Sequence, residues 1–521
     1  MSATAAIPTT RKAWLPLLTV ALGTALFDLL FWEHGAGLNI TLFTWAIVAT
    51  LVQRYTWVGL SSAARWAFLG TVIASSMVFL QNSVISIIAT VITLGVAAAF
   101  AHEPRLRSLF YAIMQGLSNA VVVPVVAIAR MDKLAPSSGA PRKGFRWLKL
   151  AVLPILLLLL FTQLYRAGNP KFDALTAGFM QGFFEVIGNF FEQVFTAHTL
   201  FLGFGAVLCA ALLLRLVPDT IIDLERRWSD VLVRIRSKRP HWMVPLSLDP
   251  LERERRMGMI LLVAVNVLLA VVNVIDINWV WFGFEVPRDF SLKQFVHEGT
   301  WMLIISILLS MLILMHIFRK NQNFYWRSTG LKTLAIVWVV QNFMLGISVF
   351  LRNYHYISFH GLAYKRIGVI VFLALVLVGL VTLYIKIRDR KSLFYLARVN
   401  GWAVLIALVG LSTVDWDSMI VRYNLAHWNQ GEIDVDNYLA MSDKVLPLLY
   451  ADIEKVEAQM AKHRQNQVRW VDHLDIGRFR IALDAKRDHF FYRYEQSSWQ
   501  DADLADRRTA RALTAAPSQD P

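Results

Sequence analysis

Long apolar runs recur along this chain, and they decide its fold class before any motif is considered. Eleven stretches near the 17–25 residues that a bilayer-crossing helix needs lie at about 14–32, 38–53, 65–80, 82–101, 147–165, 197–217, 257–276, 299–318, 331–350, 367–387 and 395–413. Hydrophobic residues make up 56% of the 521 positions and charged residues only 17%, whereas soluble domains carry roughly 25% charge. The reading is all-α: a polytopic transmembrane helix bundle over 1–414, a small helical tail over 415–500 and a disordered end over 501–521.

The cations orient this map. Of 52 lysines and arginines, 31 fall in connections on one side, 7 in connections on the other, and 14 in the tail. Cationic connections stay in the cytoplasm. The N-terminus is therefore predicted to be cytoplasmic and the tail extracytoplasmic. The net charge of +15 is then a topological signal, and a nucleic-acid partner is not expected. The bilayer itself is the expected partner. Basic cytoplasmic loops are placed at 102–146 and 218–256, the second a candidate for anionic lipid.

Two further apolar stretches obey the same rule. Residues 108–129, broken by Pro124, and residues 172–195 would turn basic loops outward if they crossed. They are read as lying on the inner and outer surfaces. In 172–195, Gln181, Glu185, Asn189 and Glu192 form one polar stripe, which leaves a re-entrant or pore-lining helix open as the alternative. The first run follows Arg11 and Lys12. It is longer than the apolar part of a signal peptide and no A-x-A site follows it, so it reads as an uncleaved helix.

Little in the sequence points to catalysis. The single cysteine, Cys209, excludes an intrachain disulfide, and no C-x-x-C is present. No G-x-S-x-G, H-E-x-x-H or phosphate-binding loop occurs. Polar chemistry is densest in LRNYHYISFHGLAYKR, Leu351 to Arg366, read as a connection between two spans. It holds the binding candidates Arg352, His355, Tyr356, His360 and Arg366. His355 and His360 are five apart with no carboxylate between them, a poor zinc pattern. Glu185, His297, Glu298 and Arg422 are placed on the same outer side and complete the candidate set. No metal or cofactor is predicted. The tail, at net −4, is expected to dock on the Leu351–Arg366 stretch, with Arg352 paired to Asp415, Asp417 or Asp434.

Several segments together resemble one known family. They are LYRAGNPKF from Leu164, FVHEGTWMLI from Phe295, the stretch from Leu351, VRYNLAHWNQGEIDVDNYLAMSDKVLPLL from Val421, and RWVDHLDIGRFR from Arg469. They are similar to a bacterial integral membrane family known only as domain of unknown function 4173, with a sibling numbered 4153. Arg352, Tyr356, Gly361, Leu362 and Arg366 carry the pattern, and Ala363 stands where the family usually has threonine. The resemblance implies a multi-pass protein of the bacterial cytoplasmic membrane and supplies no reaction. The leading expectation is a non-enzymatic envelope sensor, scaffold or partner-binding component, its partner another envelope protein. A transporter or lipid-handling protein is the first alternative. A membrane enzyme with an outer His/Glu site is the second.

Overall fold

The computed structural model describes residues 15–134, 196–215, 219–234, 250–282, 292–319, 321–429, 435–465 and 475–515, with scattered positions between 154 and 176. These residues form an all-helical protein of seventeen α-helices. An isolated bridge between Val231 and Lys391 is the β pairing among them.

The first group of helices is α1 (Leu15–Phe31), α2 (Leu38–Tyr55), α3 (Ser62–Gln81), α4 (Val84–His102), α5 (Leu109–Leu134) and α6 (Ala197–Leu213). A short helix, α7 (Thr220–Arg226), follows. The second group is α8 (Pro250–Asp276, continued by a π turn Ile277–Trp281), α9 (Leu292–Ile317), α10 (Thr329–His360) and α11 (Tyr364–Arg388). The last membrane helix, α12 (Leu393–Ser412), packs against α11 on one side and α3, α4 and α5 on the other. It joins the two groups.

Local chemistry sets the helix ends. Ser61, Ser83, Thr196 and Ser392 each accept an amide hydrogen bond from the first turn of α3, α4, α6 and α12, satisfying a donor that has no intrahelical partner. Asn82, in the left-handed region at φ 42°, ends α3. Gly361, at φ 77°, ends α10, a conformation glycine adopts without cost.

Seven helices are long and apolar enough to cross a membrane: α3, α4, α8, the Gly299–Ile317 part of α9, α10, α11 and α12. The described residues therefore do not reach the eleven spans read from sequence. α1 and α6 have 17 residues each, at the lower limit of about 17. α2 buries Asn39, Thr41 and Thr44 and ends in Gln53 and Arg54. The predicted spans at 147–165 and the surface helix at 172–195 lie outside the described residues apart from scattered positions. Large side chains such as Leu22, Val91, Leu117, Ile260 and Val267 remain exposed on the helix faces, as a lipid-facing surface requires.

Pro124 does not break its helix. α5 continues through it to Leu134, since neighbouring elements can take up the freed backbone groups of a membrane helix. Its N-terminus is held by Glu225, whose carboxylate accepts from the amides of Arg107 and Ser108, the closest at 2.8 Å. Burial pushes that carboxyl above its ordinary range, against the pull of those amides and of Arg107 and Arg398.

The tail folds as a cap over one end of the bundle. It contains α13 (Trp416–Ala426), α14 (Leu446–Ala451), α15 (Ile453–Gln465), α16 (Ile476–Gln496) and α17 (Leu504–Ala515). Tyr438, Val445, Leu446, Leu449, Val456, Phe479 and Phe490 form its core, into which Ile367 of α11 inserts. Each such buried side chain contributes about 1.5–3 kcal/mol. The end predicted to be disordered is helical through Ala515, with 516–521 outside the described residues. The segment before it pairs with the α1–α2 connection: Leu38 N donates to Ala502 O at 3.1 Å and Asn39 N to Gln500 O at 2.7 Å. Asn82 donates to Asp503 at 2.8 Å, and Lys444 to Gln81 O at 2.9 Å. The cap thus rests on the α1–α2, α3–α4 and α10–α11 connections, all at one end.

Candidate functional site

Leu351 to His360 is not a loop. It forms the last turns of the 32-residue helix α10, and no glycine or proline lies between Leu351 and Gly361 to end the helix sooner. At about 1.5 Å per residue such a helix outruns a hydrocarbon core of about 30 Å. Its polar end therefore reaches beyond the apolar layer, toward the cap.

α10 and α8 run parallel, and a polar ladder joins them. Gln341 Nε2 donates to Asn266 Oδ1 at 3.1 Å, and Asn266 Nδ2 donates to Leu334 O at 3.1 Å. One step up, Asn273 Nδ2 donates to Gln341 O at 3.1 Å. Higher still, Trp281 Nε1 donates to Ser348 Oγ at 2.9 Å, and His355 Nε2 meets Val280 O at 3.2 Å. Residues 334, 341, 348 and 355 advance by sevens, as do 266, 273 and 280. That repeat keeps one face of each helix on its partner at a shallow left-handed crossing. Interhelical hydrogen bonds of this kind hold membrane helices together.

Arg352 sits within the ladder, one turn below His355. Its guanidinium donates to Asp276 at 2.5 Å, with both side chains buried. Among the described residues its carboxylate partner is thus Asp276 and neither Asp415 nor Asp417, and Asp434 lies outside the described residues. Asp276 lies at the end of α8 and approaches Arg352 because the two helices share register. A Cβ built on Gly299 of α9 would stand 3.4 Å from Arg352 Nη1, so the FVHEGTW segment makes room for this side chain. His297 and Glu298 lie in α9 immediately before that glycine, and their side chains are outside the described part. Glu185 is outside the described residues altogether.

The remaining candidates turn inward on the protein. Arg366 donates to the carbonyls of His360 and Gly361, the C-terminal end of α10. Its guanidinium also lies 4.6 Å over the ring of Tyr356, a cation–π contact. Tyr356 and His360 pack edge to face at 4.4 Å. Arg422 is exposed on α13 and lines a small polar cavity of about 270 Å³ with Asp415, Lys444 and Arg508. Among the described residues, no cluster of His, Cys, Asp and Glu could hold a metal ion.

The clasp between the cap and the bundle uses Asp417 and Leu362, both named above, but with Tyr364 and Asn424 as their partners. Asn424 of α13 accepts from Leu362 N at 2.7 Å and donates to Leu362 O at 3.1 Å. Tyr364 OH donates to Asp417 at 2.5 Å. Asp417 also accepts from the hydroxyl of Ser442 at 2.5 Å. Among the described residues, the tail docks on the Gly361–Arg366 stretch through an amide and a phenol.

A family model described as "Domain of unknown function (DUF4153)" matches residues 66–451. The chain belongs to this family. The match runs from α3 to α14, so the DUF4153 region takes in the α8–α10 ladder, the Arg352–Asp276 pair and the clasp at Asn424. It carries the number of the sibling in the resemblance drawn above, and it begins well before about Leu150, where that resemblance starts. No curated protein and no solved structure matches the chain significantly.

Proposed function

We propose that this DUF4153 protein is a non-enzymatic component of the bacterial envelope, acting as a sensor or scaffold through its helical cap. The excess of cations in the opposite connections supports a cap outside the cytoplasm. One observation carries the reading: the polar groups concentrated beneath the cap bind the protein itself. Arg352 is committed to Asp276, Arg366 to two helix-end carbonyls, and Tyr364 to Asp417. Such an arrangement fixes a position and offers little to a substrate. The outward surface of the cap meanwhile exposes Ile481 and Tyr492, three turns apart on one face of α16, and nearby Trp499.

A photo-cross-linking amino acid at Ile481 or Tyr492, activated in native membranes, tests this. The expected result is one discrete protein adduct from both positions. Lipid adducts alone, with no protein adduct from either, contradict a partner-binding cap.

A further inference from the structure

A cavity of about 580 Å³ lies in the first helical group, between α1, α2, α4, α5 and α6. That is within the size range of small-molecule sites. Its walls are almost wholly apolar: Phe27, Phe31 and Phe43 on one side, Leu94 and Ile113 on the other. Val91 and Leu117, also in the lining, are among the most exposed large apolar residues of the protein. Among the described residues, the cavity therefore opens sideways, between α4 and α5.

Its two ends differ. Toward the cap it is closed by phenylalanines. Toward the opposite end it meets His102, Gln115, Asn119 and Arg215. His102 is tied to Tyr55 OH and to Leu212 O at 2.8 Å each. Asn119 donates to Ala211 O and Leu214 O. Arg215 pairs with both Glu103, at 2.8 Å, and Asp219, at 2.5 Å, so it offers no uncompensated positive charge. Gln115 is different. It is 3% exposed, and its Oε1 has no hydrogen-bond partner among the described residues. A buried acceptor left without a donor is costly.

The wall opposite carries a second sign. Gly95 lines the cavity in the middle of α4, where glycine is disfavoured. A Cβ built there meets no atom within 4 Å. No neighbour requires the missing side chain, and its absence leaves the cavity open.

We propose that this cavity binds a single-chain amphiphile drawn sideways from the bilayer, its apolar chain along the phenylalanines and a neutral, hydroxyl-bearing head at the Gln115 amide. Charge compensation at Arg215 disfavours a phosphate head. The unpartnered Gln115 amide calls for a neutral head such as a hydroxyl, which can both donate and accept. This site is independent of the cap and of the role assigned to it.

The test uses the full chain in nanodiscs with a diazirine-bearing monoacylglycerol, which has one chain and two hydroxyls. A chain-matched methyl ester and a lysophosphatidic acid serve as comparisons. Labelling is expected to map to α4 and α5 around Gly95 and Gly116, with the monoacylglycerol at least tenfold above the ester. Gly95→Leu should fill the cavity and abolish that labelling, and Gln115→Leu should erase the preference over the ester. Thermal unfolding checks that both variants are folded. If Gly95→Leu proves unfolded, Gln115→Leu and the ester comparison decide alone. Equal labelling by all three probes, labelling spread over the exposed helix faces, or protection of the cavity by the protein's own 135–195 segment would each overturn the proposal.

Discussion

Replacing Asn424 by alanine should open the cap without disturbing the membrane helices. Asn424 is 3% exposed and makes both of its side-chain hydrogen bonds to Leu362. Leu362 sits between Gly361, which ends α10, and Ala363, which precedes α11. Its amide and carbonyl belong to no helix ladder, so Asn424 is their partner. Each bond is worth about 1 kcal/mol net, and a buried backbone group left unpaired costs about 1–3 kcal/mol. Partial entry of water brings the sum to about 2–4 kcal/mol. At about 1.4 kcal/mol per factor of ten, cap opening should rise roughly 30- to 1000-fold. Hydrogen exchange in nanodiscs measures this directly. Protection should fall at Leu362 and across α13, while the middle of α10 and α11 keeps its protection. Asn424→Asp, which retains the acceptor alone, should lie between. If the folded variant exchanges within threefold of the parent at Leu362 and α13, the clasp does not hold the cap.

Two further outcomes follow from the same geometry. Arg352→Ala strands the buried Asp276 carboxylate and should cost about 3–5 kcal/mol in thermal unfolding. Adding Asp276→Asn should restore much of that loss, and simple additivity would show that the pair is not coupled. In the cap, burial first and then Asp503 push the Asp506 carboxyl up to about 6 from 3.8, against the pull of Arg493. A carboxyl with a raised folded-state value binds its proton better when folded. Its stabilising contribution is therefore full below the unfolded value and lost as pH rises through about 6. Cap protection should fall between about pH 4 and pH 7, and Asp506→Asn should flatten that slope. A slope unchanged in the variant would assign it to another group.

The helices were legible because apolar runs leave a chain few other ways to bury backbone groups in lipid. The bounds of α3, α4, α11 and α12 lie close to runs read from hydropathy alone. Leu351–Arg366 was misread as a connection because its polar residues looked like loop chemistry. The sevenfold recurrence of Gln341, Ser348 and His355 was there to be seen, and it continues the helix up to Gly361. The end of the chain was misread for a related reason. DLADRRTARALTA is rich in alanine and charge, but Ala505, Thr509 and Ala510 are buried as α17 packs on α3 and α14, Ala510 within the cap core. Arg352 and Asp276 are 76 residues apart, as Leu362 and Asn424 are 62 apart. No local pattern announces such partners, since they are set by the relative register of whole helices.

The central claim is that the tail is a docked cap joining both helical groups at one end of the bundle. A Cβ on Gly35 would lie 3.6 Å from Asp501 Cβ, within the roughly 3.5–4.5 Å that a disulfide needs. The paired variant Gly35→Cys and Asp501→Cys, with the buried Cys209 changed to alanine, can therefore be oxidised in native membranes. Cleavage in the 235–249 connection then leaves two fragments. The account predicts that they stay joined until reductant is added, and that either single-cysteine chain separates at once. Fragments that part without reductant, from a chain shown to be folded and inserted, would contradict it.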